Sequence, residues 1–427
     1  MPTNTRQVIL GGGAAGLSAI EAIRQVNSDC PITLVTGEPG LPYARMAIPY
    51  YVMGKIPLKG IFPQNTGYFR SLGVRTIFGN PVVGLDPNKR QVYLKSGNVL
   101  EYDNLLIATG SRPESHALPG IDTPGVFNMW TLTDAREIRR WARKAESVVV
   151  LGAGMVAFLA IKALLRPGRT IYLICRAGRI FRRVLDEEGS LMVENMLAQH
   201  GIICLKRTDI LEIRPMRRDR KRLIFTNGKE IDTDLVVMGL GVKPNLDFVD
   251  ETGVLSKNGL EVNQFMETKN PGIYAAGDVA LVNDCVTGEK IMPALWTTAV
   301  LEGWAAGWNM AGRRFICEHA LPMNIMDFFG YSMVSIGCAL ATKGVDVYKY
   351  MDKLRGRYRR LVFQGNRLMG AILIGEIQDA GVFPMLIRDR IDMTPWKAYI
   401  DTHPWDIASV ILTHPSLREL MESEEMP

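Results

Sequence analysis

The sequence predicts an α/β fold: two doubly wound parallel sheets, the second inserted in the first, with a smaller α+β unit at the C-terminal end. Three observations predict it. A Val/Ile/Leu strand runs through glycines into a helix twice, at VILGGGAAGLSA (residues 8–19) and VVVLGAGMVAFLA (residues 148–160). GIYAAGDVA (residues 272–280) is one more strand ending in glycine and aspartate, and reads as a return to the first sheet. Finally, 427 residues are too many for one core, so two or three domains are expected.

Taken in order, QVILGG, AAGLSAIEAIRQV and PITLV make a βαβ unit of the length expected for a Rossmann-like dinucleotide-binding half. TIFGNPVVGLD, RQVYLKSG and YDNLLIATG then read as a meander of short strands, with DPNK and SGN as turns. The Pro/Gly-rich linker SRPESHALPGIDTPG precedes a helix over residues 133–144. The pattern restarts with SVVVLG, a helix, TIYLICR, a helical segment over residues 187–200, IICLKR, a hairpin and DLVVMGLG. The predicted divisions are residues 1–115 with 264–318, residues 116–263, and residues 319–427. The final MESEEMP reads as a frayed end.

Apolar content of 47% and charged content of 22% are ordinary for a globular enzyme. No apolar run is long enough to span a membrane, and MPTNTRQVILGGG lacks the basic start and cleavage site of a signal peptide. A cytoplasmic chain is the expectation. The net charge of +6 is concentrated in RPMRRDRKR (residues 214–222) and KLRGRYRR (residues 353–360), each flanked by hydrophobic alternation. Both read as solvated hairpin tips. Neither has the interleaved aromatics that single-strand binding needs, so no nucleic-acid partner is expected. The six cysteines (Cys30, Cys175, Cys204, Cys285, Cys317, Cys338) form no C-x-x-C pair and have no metal-ligand spacing. They read as reduced, buried thiols, with no metal site expected.

Gly11, Gly13 and Gly16 make G-x-G-x-x-G between a strand and a helix. The first permits the sharp turn, the second lets backbone approach a pyrophosphate, and the third lets helix and strand pack closely. The phosphates then meet a helix N-terminus, whose free N–H groups and dipole favour negative charge. Glu38 ends the next strand about 20 residues on, where an acid binds ribose hydroxyls.

With LLIATGSRP (residues 105–113), VVMGLGVKPN (residues 236–245), GIYAAGDVA and PALWTTAVLEGWAAGWNMAG (residues 293–312) in order beside the two glycine turns, the chain resembles the two-dinucleotide flavoprotein reductases. That group includes glutathione reductase, NADH oxidase, the nitrite reductase flavin domains and the ferredoxin reductases. The resemblance runs from residue 6 to about 340 and more loosely beyond. It implies that the first cradle (Gly11, Gly13, Ala14, Ala15, Gly16) holds FAD, aided by Glu38 and by Ala108, Thr109 and Gly110. It implies that Asp278, after Gly277, holds the ribityl chain or phosphate, and that Arg45 approaches the phosphates or isoalloxazine. The helix from Trp296 would point its positive end at the flavin's pyrimidine edge. The remaining C-terminal unit would be an interface domain.

The second cradle has Gly152 and Gly154, with Ala157 in third place, and the resemblance assigns NAD or NADP to it through Met155, Val156 and Gly241 as well. Cys175 stands where the family has an acid for the adenosine ribose, followed by Arg176 and Arg182. Losing the acid and keeping arginines permits a 2′-phosphate. NADH-using relatives also carry arginine there, so both nucleotides stay open. Leu159 replaces a family glutamate near the nicotinamide.

In YARMAIPYYVMGK (residues 43–55), Met46 occupies the family's redox-cysteine place and Tyr50 that of a lysine near flavin N5. Methionine forms no thiolate, which removes disulfide chemistry. Met46, Tyr50 and Trp296 are candidate pocket residues, with the flavin itself as the catalytic group. His414 in THPSLREL resembles the acid–base histidine of disulfide reductases, but with no redox cysteine it reads as a residue before a helix starting at Pro415. What remains is an FAD-dependent NAD(P)H:acceptor oxidoreductase exchanging electrons with an external iron–sulfur partner. Similar flavin subunits serve phenylglyoxylate dehydrogenase, tungsten aldehyde oxidoreductase and carbon monoxide dehydrogenase systems, which implies a place in a larger complex. A homo-oligomer is compatible with this. The alternatives are a stand-alone NAD(P)H oxidase and a non-catalytic flavin-containing binding protein.

Overall fold

The computed structural model describes residues 5–114, 117–249, 256, 258–318 and 320–408. His414 and MESEEMP lie outside them. The chain divides into two compact units: Met1–Ile180 with Gly201–Asn283 and Glu289–Ala320, and Phe181–His200 with Asp284–Gly288 and Leu321–Pro427.

In the first unit, β1 (Gln7–Leu10) passes into α1 (Ala14–Val26) and β2 (Ile32–Val35). Short helices α2 (Ile48–Val52) and α3 (Thr66–Ser71) precede β3 (Val74–Ile77). Strands β4 (Val82–Asp86), β5 (Gln91–Leu94) and β6 (Val99–Glu101) make an antiparallel sheet, followed by β7 (Asn104–Ile107) and β8 (Ser111–Pro113). Then come β9 (Val126–Asn128), α4 (Leu132–Ala142), β10 (Ser147–Leu151), α5 (Met155–Leu164) and β11 (Thr170–Cys175). Helix α6 (Glu187–Gln199) belongs to the second unit. The first resumes with β12 (Ile202–Lys206), the hairpin strands β13 (Ile210–Pro215), β14 (Lys221–Phe225) and β15 (Glu230–Thr233), then β16 (Leu235–Met238) and β17 (Val242–Pro244). It closes with β18 (Leu260–Glu261), β19 (Ile273–Ala275), β20 (Ala280–Asn283), β21 (Lys290–Ile291) and α7 (Trp296–Met310).

Two five-stranded parallel sheets result, in the orders β19-β7-β1-β2-β3 and β12-β11-β10-β16-β9. The interior strands β1 and β16 are buried at every position, as strands covered on both faces must be. The expected meander is corrected here. Its outer members, β3 and β7, join the parallel sheet, and only β4, β5 and β6 pair antiparallel. The reason is legible in NLLI, whose last three residues are all buried; a half-solvated meander strand would alternate. Part of the expected linker is also ordered, because β8 pairs antiparallel with β17.

The second unit holds an antiparallel sheet of β22 (Met323–Phe328), β23 (Tyr331–Gly337), β24 (Asp346–Asp352), β25 (Arg357–Gln364) and β26 (Arg367–Gly375), in the order β22-β23-β26-β25-β24. Helices α8 (Phe383–Arg388) and α9 (Lys397–Thr402) add Phe383, Leu386 and Ile400 to its core beside Val334, Leu361 and Leu373.

The two basic runs are hairpin tips only in part. Arg217 and Arg218 are exposed in a turn between β13 and β14, but Lys221 is fully buried. Its Nζ donates to Asp219 O (2.6 Å) and Asp234 O (2.7 Å) and lies 3.7 Å from the Trp141 ring centroid. In the second run Lys353 and Arg355 are exposed, while Arg359 and Arg360 are buried. Apart from Asp219 O, their partners are carboxylates and carbonyls distant in sequence, which is why local composition misled. No helix among the described residues is long and apolar enough to cross a membrane.

Candidate functional site

The first cradle follows from three glycines with three different surroundings. Gly11 has φ +112°, and a Cβ there would lie 2.0 Å from Ala108 O, so only glycine lets β1 turn away beside β7. A Cβ on Gly16 would lie 2.0 Å from Gly11 O. Gly13 instead faces open space, with nothing within 4 Å of a Cβ. It precedes α1 without offering a side-chain cap, and the first helical bond runs from Leu17 N to Gly13 O. The amides of Ala14, Ala15 and Gly16 therefore have no helical acceptor, and no acid occupies the first turn. Such an end fits a diphosphate.

Of the predicted residues, Ala108, Thr109 and Gly277 lie beside that turn. Ala108 N donates to Leu10 O, Thr109 Oγ1 to Asn245 O (2.8 Å), and Asn245 N to Gly110 O (2.8 Å). A Cβ on Gly277 would sit 3.5 Å from Ala15 Cβ and 3.6 Å from Ala299 Cβ, so that turn lies between α1 and α7. Asp278 accepts from Ser111 Oγ at 2.6 Å. Helix α7 is held tightly on α1, since a Cβ on Gly303 would fall 2.3 Å from Ala15 O and one on Gly307 2.5 Å from Ala19 O. Trp296 opens α7 and is 38% exposed, and Met46 and Tyr50 are 55% and 43% exposed. Ala294, two residues before α7, takes a left-handed φ of +50°, a strained position that its sequence does not announce. Both oxygens of Glu38 already have partners: Tyr43 OH donates to one at 2.6 Å and Arg45 pairs with the other. Arg45 also donates to Trp130 O at 2.9 Å.

The second cradle repeats the first. Gly152 has φ +102°, with Gly239 O 2.2 Å from a notional Cβ, and Gly154 again faces open space before an uncapped helix. The first helical bond is Phe158 N to Gly154 O, which leaves the amides of Met155, Val156 and Ala157 without a helical acceptor. Ala157 packs closely on Gly239, where a Cβ would lie 3.0 Å from Ala157 N and 3.4 Å from Ala157 Cβ. Gly241 (φ +123°) accepts from Glu114 N at 3.1 Å. Cys175 ends β11 with its side chain buried, Arg176 is exposed after it, and Arg182 belongs to the other compact unit. Helix α2, which carries Tyr50, packs against both α4 and α5 beside the second cradle.

Burial pushes the thiols of Cys285 and Cys317 up to about 11 and about 12 and raises that of Cys338 as well, so none of them is a thiolate at neutral pH.

One residue of this region escaped the sequence reading. Glu302, on α7, is 2% exposed; its Oε2 accepts from Gly277 N at 2.6 Å and its Oε1 has no partner. Burial raises its pKa from 4.5 to about 8, with the Asp278 charge adding to the rise and the Gly277 N–H opposing it. A folded-state value above the unfolded one means that the fold favours the neutral acid. Stability is then full below about 4.5 and falls as pH rises toward about 8. Glu302→Gln is neutral throughout and is expected to flatten that slope. Melting temperatures of the two proteins should converge near pH 5 and diverge by pH 8, with the variant higher; parallel curves would contradict a neutral Glu302.

Comparison with known proteins agrees with this geometry. A family model described as pyridine nucleotide-disulphide oxidoreductase matches residues 5–303, and one described as rubredoxin NAD+ reductase C-terminal domain matches residues 322–391. The chain is 30% identical over 413 residues to NADH-dependent phenylglyoxylate dehydrogenase subunit epsilon of Aromatoleum evansii, covering 96% of this chain and 98% of that one. The solved NADH:rubredoxin oxidoreductase of Clostridium acetobutylicum superposes with a TM-score of 0.77 at 26% identity, over 92% of this chain and 97% of that one. The putidaredoxin reductase–putidaredoxin complex gives a TM-score of 0.87 at 21% identity over 99% and 100% of the two chains, a likeness of fold alone. The chain belongs to the pyridine nucleotide-disulphide oxidoreductase family and is, with it, an FAD- and NAD(P)H-using oxidoreductase.

Proposed function

We propose that the chain is the flavin component of a multi-subunit oxidoreductase, exchanging electrons between NAD(P)H and an external iron–sulfur partner. Residues 1–115 and 264–318 would hold FAD, residues 116–263 NAD or NADP, and residues 319–427 an interface domain. The carrying observation is the pair of open, uncapped helix starts at Gly13 and Gly154.

FAD, when bound, supplies the junction between two-electron hydride exchange and one-electron carriers. The chain's own residues bind and orient. The amides of Ala14, Ala15 and Gly16 would take the FAD diphosphate, with Asp278 beside the turn, while those of Met155 and Val156 would take that of the nicotinamide dinucleotide. The uncapped start of α7 at Trp296 would bring positive potential to one edge of the ring system. Met46 in the place of a redox cysteine supports an acceptor outside the chain, and the subunit name of the Aromatoleum evansii relative supports a complex.

Anaerobic addition of NADH and of NADPH, with flavin absorbance followed, tests the reading. Bleaching by either nucleotide is expected, and the faster one identifies the preferred dinucleotide. A chain that takes up flavin but is bleached by neither would overturn it, and rapid peroxide formation in air would favour the oxidase.

A further inference from the structure

Helix α7 presents a second face that none of this chemistry uses. Leu301, Trp304 and Trp308 fall at i, i+3 and i+7, on one side of the helix. Leu301 is 59% exposed, and beyond the helix end so are Phe315 (38%) and Ile316 (54%). The aromatic rings form one cluster: Trp304 and Trp308 have centroids 5.2 Å apart, Trp308 and Phe315 4.6 Å. A groove of about 370 Å³ adjoins it, between Trp304 and the Arg24, Gln25, Tyr68 and Leu72 side chains of α1 and the α3 end.

This patch is held rigid. Asn309 donates to Phe315 O (2.7 Å) and to Phe265 O (3.1 Å), and accepts from Phe315 N (2.9 Å), pinning the turn after α7. A preorganised aromatic cluster loses little freedom on association. Its rim is basic. Arg313 lies 5.0 Å from the Trp308 ring centroid and Arg314 4.6 Å from that of Phe265, both exposed, and Arg24 lines the groove; against these cations the groove holds the Glu21 carboxylate, one oxygen of which accepts from Tyr68 OH. Tryptophan and arginine around an apolar centre are the residue types that dominate protein interfaces.

We propose that this face seats a protein subunit presenting acidic side chains around an apolar centre. The proposal rests on the reading of the chain as one subunit of a complex and names the surface involved. A second copy of this chain fits less well, because a two-fold contact would bring Arg313 and Arg314 toward their own mates on a chain of net charge +6. Trp304 lies eight residues into α7 from Trp296, about 12 Å along the axis, so docking here leaves the two cradles untouched.

The test uses the native complex. A benzophenone photo-crosslinker at Leu301, and separately at Ile316, is expected to join both positions to one other chain, at a segment rich in Asp and Glu. Leu301→Glu should weaken retention of that subunit about 30-fold or more, as loss of an interface anchor does, while NAD(P)H bleaches the flavin at the unchanged rate. Crosslinks to a second copy of this chain overturn the proposal, as does a complex in which Leu301→Glu holds its partner normally. A chain that isolates alone, with its flavin still bleached, overturns both the docking face and the subunit reading and leaves the flavin chemistry standing.

Discussion

A Gly154→Asp chain is expected to fold, to retain FAD, and to lose about 100-fold or more of its rate of flavin reduction by NAD(P)H. Gly154 has φ −102° and ψ −171°, an extended conformation open to any residue, and a side chain there meets nothing within 4 Å. Aspartate is moreover a better N-cap than glycine, by roughly a few tenths of a kcal/mol. Stability should therefore hold or rise. Nucleotide binding should fail for two reasons. The carboxylate would satisfy the amides that a diphosphate needs, and it would repel that diphosphate by about 4 kcal/mol per charge pair at 4 Å and an effective dielectric of 20. Gly154→Ser separates the two effects, since it caps without charge and should cost far less. The same change at Gly13, equally open, should instead yield a folded but colourless chain. Stopped-flow absorbance of the three proteins checks the series. Undiminished bleaching in Gly154→Asp would show that the second cradle does not carry the nucleotide.

The cradles were legible in the sequence because their chemistry restricts residue type at fixed spacing: a left-handed turn at Gly11 and Gly152, and open space at Gly13 and Gly154. The order of the elements was legible for a related reason, since unbroken Val/Ile/Leu runs mark strands covered on both faces. What stayed hidden depends on contacts between residues distant in sequence. Nothing local to LEGWAAG distinguishes Glu302 from a surface glutamate. Its burial follows from Gly303 and Gly307 letting α7 settle onto the Ala15 and Ala19 backbone. Ala157 was readable as a tolerated variant, but its close neighbour Gly239 lies far along the chain, just after β16. Lys221 and Arg359 were absorbed into runs of like charge, and only the fold separates the solvated members from the buried ones.

Arg359 carries the largest stability effect expected in the second unit. Its guanidinium, fully buried, donates from Nη1 and Nη2 to the two oxygens of Asp379 at 2.8 Å each, and from Nη1 to Pro404 O. It lies near the Phe383 and Trp405 rings, and Asp379 also accepts from Ile407 N at 3.3 Å. One ion pair thus joins β25, the segment before α8 and the chain beyond α9. Such a pair is weak evidence of net stabilisation, because desolvating both ions costs about what their attraction returns. Removing one partner is different. Arg359→Met leaves the Asp379 carboxylate buried with a single N–H donor and should cost about 3–5 kcal/mol. Asp379→Leu, stranding the guanidinium, should cost a similar amount. The double variant Arg359→Met/Asp379→Leu replaces two buried charges by apolar volume and should recover most of the loss. Hydrogen exchange of the β25 amides in the full-length protein reads this directly, with fast exchange in each single variant and near-native protection in the double. If the double variant exchanges as fast as either single one, the pair is holding the C-terminal segment in place through its hydrogen bonds to Pro404 and Ile407 rather than through charge balance.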